Sequence, residues 1–411
     1  MAGGTVGGVA GAAAGNYDGV GRQSIVSNVH ADVTVTGNAL GQAGGLFGVA
    51  VEHLTIQDSR ATGTVNGASW TGGLIGSTSD DVMIKDSYST AAVTGNDLAG
   101  GLVGRASGGL EISNAFNAGN VRGTTAGGLV AFAGSSVGIA DAYSSGTVTA
   151  TGGSGYAGGI VGYADRFVDI QTTYATGVVT GATTGGLVGA MQAATTSVTD
   201  SVWDVDATGQ ASAVGNAGLG TITNVDGATS AQMRELSTFT GHGFDVDDKG
   251  GTGAVWRIYE GYTAPLLRSF MTGLTVTGGG ASKIYDGSTT STDVGALTYD
   301  PTGHDPSLIF GAPVYRASSA EIGRYDGSGL TLDGLYSNQF GYDLSFVPGT
   351  LTIAAPVSPP AVDLERNRLG DPAMPADGSP ECDPGVIGDE QRPATYPCNV
   401  RFGEYLRAEA E

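Results

Sequence analysis

The stretch GGLVGRASGGLEISNAFNAGNVRGTTA, residues 100–126, recurs in variant form along the first half of the chain. Every copy opens with two glycines, followed by two apolar residues and a small one. The copies begin at Gly44, Gly72, Gly100, Gly127, Gly158 and Gly185, and their steps are 28, 28, 27, 31 and 27 residues. A fixed period of roughly 20–50 residues is the signature of solenoids and related arrays, so this repeat points to the fold class.

Spacing within each copy is stricter than spacing between copies. The first apolar position holds Leu46, Leu74, Leu102, Leu129 and Ile160, and 14 residues later come Arg60, Tyr88, Phe116, Tyr143 and Tyr174. Five residues further on stand Val65, Val93, Val121, Val148 and Val179. The length varies only after that valine, which is how a solenoid behaves when insertions are confined to one corner of its coil.

The copies are rich in Val, Ile, Thr and Tyr between Gly, Asn, Asp and Ser turns, a pattern typical of short β-strands. We therefore expect an all-β chain whose first part is a right-handed parallel β-helix, a solenoid of coils of about 28 residues. Stacking predicts two internal ladders. The aliphatic ladder is Leu46, Leu74, Leu102, Leu129, Ile160 and Leu187, and the aromatic ladder is Tyr88, Phe116, Tyr143, Tyr174 and Trp203.

Buried ladders of this kind offset the ordering entropy of the chain, because each large apolar side chain contributes about 1.5–3 kcal/mol. The paired glycines allow either a positive φ at a sharp corner or a close approach of neighbouring backbones. A closed β-sandwich is the alternative architecture, although it would not require near-identical repeats. Tyr88 and Tyr143 could stack on sugars, but at repeat spacing we expect them in the core.

Composition argues against several classes of function. Glycine supplies 72 of 411 residues and the formal net charge is -22, so no basic stripe is available for nucleic acid. No apolar run approaches the ~18–20 residues of a transmembrane helix. Residues 1–4 do not resemble a signal peptide, and residues 7–11 already look like part of a repeat. We therefore expect the chain to start within the array, with its export signal in a missing upstream region.

The motifs Gly100-Gly101-Leu102-Val103-Gly104 and Gly185-Gly186-Leu187-Val188-Gly189 resemble the GLUG motif of filamentous-haemagglutinin-like exoproteins, which are exported by two-partner secretion. Residues 282–288, SKIYDGS, resemble the YDG signature of small β domains in the same exoproteins, and residues 341–353 fit the close of such a domain. The intervening residues 229–268 are similar to the segment that commonly closes a GLUG array. An end coil needs a cap, because its exposed edge would otherwise recruit other strands.

The predicted organisation has four parts: residues 1–206 form the repeat β-helix, 207–271 a capping or linker segment, 272–355 a small β-sandwich-like YDG-type spacer domain, and 356–411 a Pro-rich acidic tail. Such a tail is expected to be flexible. It contains Cys382 and Cys398, which we expect to form a disulfide in an oxidising compartment, since no histidine lies nearby to complete a zinc site.

Motifs that suggest chemistry have simpler explanations. Residues 134–138 match G-x-S-x-G, but they lie inside a repeat without a strand-to-helix context. Residues 245–250 resemble the start of an EF-hand loop, yet Lys249 occupies a ligand position and Trp256 stands where the glutamate should be. His30 falls at a stack position of the repeat, and the other three histidines are scattered. We predict no catalytic, metal-binding or cofactor-binding residue.

The resemblance implies a secreted protein, or one displayed on a Gram-negative cell surface, that acts as an adhesin-type structural stalk in attachment and biofilm interactions without catalysis. An outer-membrane two-partner transporter is the implied partner during export, together with a host or matrix receptor that the sequence does not identify. In some two-partner adhesins, a disulfide-closed C-terminal loop holds the protein on the cell; here the loop could instead merely resist proteolysis. The alternative function is the non-catalytic region of a larger secreted enzyme or toxin whose active domain lies upstream.

Overall fold

The computed structural model describes residues 4–16, 24–37 and 41–357. Cys382, Cys398 and the predicted flexible tail therefore lie outside the described residues. Strands account for 56% of the described residues and helices for 6%, and stacked parallel coils of about 28 residues form a β-solenoid of about seven turns. The predicted all-β class and solenoid are confirmed.

The first half of the solenoid contains thirteen strands. They are β1 (Val6–Gly7), β2 (Ala10–Ala14), β3 (Ser24–Ser27), β4 (His30–Thr36), β5 (Ala43–Gly44), β6 (Phe47–Val51), β7 (Leu54–Gln57), β8 (Arg60–Gly67), β9 (Trp70–Gly72), β10 (Ile75–Ser79), β11 (Val82–Ser89), β12 (Ala92–Gly95) and β13 (Leu98–Gly100).

The second half contains fourteen strands and one short helix. They are β14 (Val103–Ala106), β15 (Leu110–Asn117), β16 (Val121–Gly123), β17 (Thr125–Gly127), β18 (Val130–Ser144), β19 (Val148–Ala150), β20 (Tyr156–Gly158), β21 (Val161–Ala175), β22 (Val179–Thr180), β23 (Thr183–Gly185), β24 (Val188–Met191), β25 (Ser197–Asp204), α1 (Val205–Thr208), β26 (Val214–Asn216) and β27 (Thr221–Ala228).

Every coil is in register with the next. Ile75 pairs with Phe47 on one side and with Val103 on the other, as parallel partners one coil away. The strands that lead into the glycine pairs form a separate seven-stranded sheet, and the other solenoid strands form a twenty-stranded sheet. All six residues of the aliphatic ladder, from Leu46 to Leu187, are completely buried.

Close backbone packing explains the glycine pairs. None of the six pairs, all within the described part of the chain, has a positive φ. A Cβ on Gly101 would lie 2.0 Å from the carbonyl oxygen of Gly128 in the next coil, and one on Gly73 would lie 2.0 Å from that of Gly101. The second glycine is therefore required wherever another coil stacks on it. Of the two explanations offered by the sequence, the structure selects close approach over positive φ.

Solenoid stacking continues to Ala228 rather than ending at residue 206. Strand β26 pairs in parallel with β24, and β27 pairs in parallel with β25. Ala213 takes the position of Leu187, because the amide of Leu187 donates to its carbonyl over 2.8 Å. In this last coil Ala211-Ser212 replaces the glycine pair, so the repeat motif that defined the predicted boundary is absent.

The residues after Ala228 form a lateral segment, 229–270, followed by a β domain. The lateral segment contains a 3-10 helix (Gln232–Arg234), α2 (Leu236–Thr240), β28 (Val246–Asp247), β29 (Trp256–Arg257), β30 (Leu266–Leu267) and a second 3-10 helix (Arg268–Phe270). The β domain contains β31 (Thr272–Thr277), β32 (Gly280–Ile284), β33 (Thr290–Ser291), β34 (Thr298–Asp300), β35 (Phe310–Ala317), β36 (Gly323–Tyr325), β37 (Leu330–Tyr336), β38 (Tyr342–Val347) and β39 (Thr350–Ala354), with 3-10 helices at Pro306–Leu308 and Gly327–Gly329.

The β domain consists of three three-stranded sheets around a shared apolar core. The sheets have the orders β34-β31-β38, β32-β39-β36 and β33-β35-β37. Solenoid, lateral segment and β domain belong to one compact unit, Met1–Pro356. Among the described residues, no helix is long and apolar enough to cross a membrane.

Candidate functional site

Phe116, Tyr143 and Tyr174 of the aromatic ladder are buried in an apolar core as expected, but the ladder lies on the outer side of the solenoid wall, so its predicted place inside the coil is wrong. Each coil has one residue with a left-handed backbone immediately before this part of the strand, such as Asp86 with φ 47° and Asp141 with φ 48°. Asp and Asn tolerate this conformation better than most residues. One such residue shifts the alternation of side chains by one position. Ile84 and Ser89 consequently face the solenoid interior, and Tyr88 faces away from it.

Trp203 does not belong to this ladder. Val202 is the residue in register with Tyr174, whereas Trp203 is in register with Ala175. The Trp203 ring packs in the solenoid core beside Gly186, and its Nε1 donates to the carbonyl of Gln210 over 2.8 Å. The large Trp203 side chain fills the solenoid interior near the last coils.

Four rings form what we call the covered stack: Tyr88, Phe116, Tyr143 and Tyr174. Successive centroids are 5.0, 4.8 and 4.8 Å apart, and the planes of each pair lie within 5° of parallel. The spacing is that of neighbouring strands, because each ring comes from the same position of successive coils. The covered stack is therefore a flat apolar platform on one side of the solenoid.

The lateral segment covers this platform, rather than the end of the solenoid as predicted. The Phe270 ring meets Phe116 edge-on at 5.1 Å, and Trp256 lies 5.7 Å from Tyr174. Strand β27, in the last coil, stays mostly exposed. Of the predicted 207–271 segment, the residues up to Ala228 form the last coil, and those after it act as a side brace for several coils and leave the terminal edge open.

The β domain also contacts the covered stack. Phe340, in the loop between β37 and β38, lies 4.8 Å from the Tyr88 ring. The neighbouring Gln339 accepts a hydrogen bond from the Tyr143 hydroxyl over 2.9 Å and donates to the carbonyl of Leu267 over 2.7 Å. One glutamine side chain therefore joins solenoid, lateral segment and β domain.

Burial disfavours ionisation of Tyr143 and Tyr174, the last two members of the covered stack. Burial raises the pKa of Tyr143 far above its ordinary value, and the same cause raises the pKa of Tyr174. The Tyr174 hydroxyl donates to the carbonyl of Pro265 over 2.5 Å. Both hydroxyls therefore act as structural donors, and neither ring presents a free face to a ligand.

A buried ion cluster fixes the β domain to the lateral segment. Asp343 of β38 lies 3.3 Å from Arg257 Nε and 2.5 Å from Arg268 Nη1. The Arg257 guanidinium also stacks 4.1 Å above the Tyr259 ring. Burial lowers the pKa of Arg257, while Tyr259 and Asp343 oppose that shift. Removing one partner of such a cluster leaves an uncompensated buried charge, so it is a strong positional constraint.

A second set of side chains, four aromatic residues and one arginine, lies on a different outer face, and we call it the outer strip: Trp70, Arg105, Phe132, Tyr156 and Tyr163. All five are half-buried. The Arg105 guanidinium lies 4.5 Å from the centroid of Trp70 and 5.7 Å from that of Phe132. Phe132 stacks on Tyr163 at 5.4 Å, and Tyr156 is tilted by 55° against Tyr163 at 5.3 Å. Sequence reasoning missed this strip.

The missed signal was present in the repeat. Arg105, Phe132 and Tyr163 each stand three residues after the first apolar residue of their copy, and Trp70 and Tyr156 stand two residues before a glycine pair. Their immediate strand neighbours, Ala133 and Ala164, are fully buried in the solenoid core. Period-two alternation therefore puts the aromatic residues outside.

An open cleft of about 580 Å³ lies along another solenoid face. Its lining includes Asp81, Glu111, Asp169 and the exposed Phe167, together with Ser136 of the G-x-S-x-G stretch. Ser136 has φ 53°, but no histidine is among the residues that line this cleft. A serine needs an adjacent base to become a nucleophile, and the cleft offers no histidine for that role.

The histidines and the acidic loop have local partners. His242 Nε2 lies 3.1 Å from Asp226, and His53 Nδ1 lies 3.2 Å from Asp81. His304 stacks on Tyr299 at 4.0 Å, and His30 is in register with Arg60 in the first coils. In the EF-hand-like stretch, Asp247 accepts from the amide of Lys249, and Asp245 from that of Val255. Within the described ranges, no group of three or more His, Cys, Asp or Glu residues is placed to hold a metal ion.

Comparison of the chain with protein-family models, curated proteins and solved structures finds no match. The geometry therefore stands on its own. It comprises a stacked β-solenoid, a platform covered by the chain's own lateral segment and β domain, and a half-exposed outer strip of aromatic residues with one arginine.

Proposed function

We propose that this chain is a structural and adhesive stalk of a secreted or surface-displayed bacterial protein. In this function the solenoid gives length and stiffness, and the β domain is a spacer held against its side. The GLUG-like and YDG-like motifs support an exoprotein exported by a two-partner transporter. The receptor is a component of a host surface or matrix.

The observation that carries the proposal is the use of the covered stack. Side chains from four successive coils, Tyr88 to Tyr174, are fastened by Phe270, Trp256 and Gln339, which come from outside the solenoid. Parallel coils linked only to their neighbours could open one at a time. A brace across four coils couples them, which suits an element that has to transmit a pulling force.

The experiment is made in the bacterium that encodes the chain. Attachment to a matrix-coated surface is compared between the wild type and a strain from which residues 44–356 are deleted, and protease treatment of intact cells reports surface display. We expect the wild-type chain to be cleaved on intact cells, and attachment to fall several-fold in the deletion strain. A strain that lacks one complete coil, residues 100–126, is the matched control for a shortened but continuous solenoid.

A chain that stays inside the cell, or a deletion that leaves attachment unchanged, would contradict the stalk. Loss of a secreted catalytic activity with unchanged attachment would favour the alternative, a non-catalytic region of an enzyme or toxin. Replacing Cys398 with Ser tests the tail in the same strain, since an anchoring disulfide predicts release of the protein into the medium. Unchanged cell association would leave only a protective role for that disulfide.

A further inference from the structure

The outer strip and the covered stack both consist of side chains that recur at fixed positions of the repeat. The covered stack is buried under other parts of the chain, whereas the outer strip is left half-exposed. In the covered stack, Phe116 is 1% exposed because Phe270 and Phe340 lie on it. In the outer strip, Phe132 contacts only the neighbouring strip members Arg105 and Tyr163 among the ring contacts of the described residues. The largest apolar patch on a soluble monomer is typically about 300–600 Å² and is often functional, and the outer strip is of that order.

From these observations we propose that the outer strip binds a neutral oligosaccharide chain laid along the solenoid axis. This inference rests on the proposed adhesive function and names the chemical class of its partner. Trp70, Arg105, Phe132 and Tyr163 come from four successive coils, which places them along a line of about 14 Å. An extended polymer fits a line of this shape better than a compact ligand does.

Ring chemistry favours a carbohydrate. Aromatic faces carry negative partial charge, so they attract the weakly positive C–H groups of a sugar ring. Tyr156 is flanked along its strand ladder by the small residue Thr183, so its ring is not stacked from that side. Beside it, the Tyr163 hydroxyl donates to Gln192 Oε1 over 3.1 Å. The amide of the exposed Gln192 and the hydroxyl of Thr183 are groups to which sugar hydroxyls can hydrogen-bond.

The net charge of the chain argues against a polyanionic partner, and the exposed area of the strip argues against a protein partner. The net charge of -22 repels polyanions such as sulfated glycans and nucleic acids, but it has no such effect on a neutral polymer. Arg105 is the single cation of the strip, and its guanidinium is already stacked on Trp70. The five half-buried side chains leave on the order of 300 Å² exposed, below the roughly 800 Å² per partner of a standard protein interface.

The test uses the purified chain and an array of neutral hexasaccharides built from glucose, mannose, galactose or N-acetylglucosamine units, with sulfated hexasaccharides as charged probes. We expect binding to at least one neutral probe, with affinity at least tenfold lower in Tyr156→Ala and in Tyr163→Ala. Tyr163→Phe keeps the ring and should retain most of the binding. Phe167→Ala is the matched control, because Phe167 lies on the same strand, is 57% exposed and faces the acidic cleft.

Circular dichroism and a melting curve show whether each variant is folded, and Tyr156→Ala and Tyr163→Ala are independent tests, so one stays decisive if the other does not fold. Absence of binding to every neutral hexasaccharide, binding to sulfated probes alone, or equal loss in Phe167→Ala would overturn the inference. So would a strip-dependent attachment of cells to a protein film that bears no glycan. Cells that attach equally well with wild-type chain and Tyr163→Ala would refute the glycan site while leaving the stalk intact.

Discussion

Truncating Phe116 to alanine tests whether the covered stack stabilises the whole unit. The Phe116 ring is 1% exposed and lies between Tyr88 at 5.0 Å and Tyr143 at 4.8 Å, under Phe270 at 5.1 Å. Truncation of a fully buried phenylalanine costs about 3–5 kcal/mol, because apolar contacts are lost and a cavity remains. Total stabilities of domains are about 5–15 kcal/mol, so this loss should be large on that scale.

Phe132→Ala is the matched control, because it removes the same side chain from the neighbouring coil on the half-buried outer strip. Truncation of Phe132 removes one ring-stacking contact, with Tyr163 at 5.4 Å, and one cation–π contact, with Arg105. We expect a cost of about 1 kcal/mol. The predicted difference between the two variants is therefore about 2–4 kcal/mol.

Urea denaturation measures both variants. Far-ultraviolet circular dichroism follows the solenoid strands, and tryptophan fluorescence includes Trp256, which is fully buried 6.1 Å from Tyr143. In Phe116→Ala, the fluorescence transition should move to lower urea than the circular dichroism transition, because the lateral segment loses its platform first. Equal destabilisation by the two truncations would refute the assignment of covered and outer faces.

Three further outcomes follow from the same geometry. Gly101→Ala should destabilise the chain by at least about 2 kcal/mol in urea titrations, since its Cβ would lie 2.0 Å from the Gly128 carbonyl oxygen. Gly153→Ala is the control and should be neutral, because no atom lies within 4 Å of its added Cβ. Equal costs for the two variants would contradict the close-approach explanation. Leu102→Asp should lower the free energy of unfolding by about 5 kcal/mol or more, because it buries a carboxyl group without a partner. Thr94→Asp, at an exposed position, should lower it by less than about 0.5 kcal/mol. Similar melting temperatures for the two variants would mean that the inner and outer faces are misassigned. The raised pKa of Tyr174 means that the unfolded chain ionises first, near pH 10, so its stability contribution is complete below about pH 10 and falls as the pH rises further. Tyr174→Phe should reduce the slope of that alkaline loss between pH 9 and 11, measured from urea midpoints, and an unchanged slope would contradict the prediction.

The solenoid and its aliphatic ladder could be read from sequence because stacking makes each coil repeat the needs of its neighbour. Leu102 faces Leu74 and Leu129 on equivalent positions, so the same residue type and the same spacing recur. The second glycine of the first five pairs recurs for the same reason, since the carbonyl of the next coil occupies the space of a Cβ, whereas at Gly186 the Trp203 ring occupies it.

The direction of the aromatic rings could not be read in the same way. Counting by twos from Ile84 puts Tyr88 inside, and only the left-handed backbone at Asp86 reverses the count. Asp is compatible with that conformation but does not require it, so the sequence left the choice open. The outer strip was marked by repeated aromatic positions, but its exposure depends on the same unseen alternation.

The sequence by itself therefore determined the period, the parallel stacking and the buried aliphatic ladder. Only the tertiary structure decided that the Tyr88–Tyr174 rings are covered while Phe132 and Tyr163 are left half-exposed. Phe270, Phe340 and Gln339 lie far from those rings along the chain, and no repeat period links them. Which face of a solenoid is covered depends on where non-repeating segments dock, and that follows from long-range packing that local spacing does not encode.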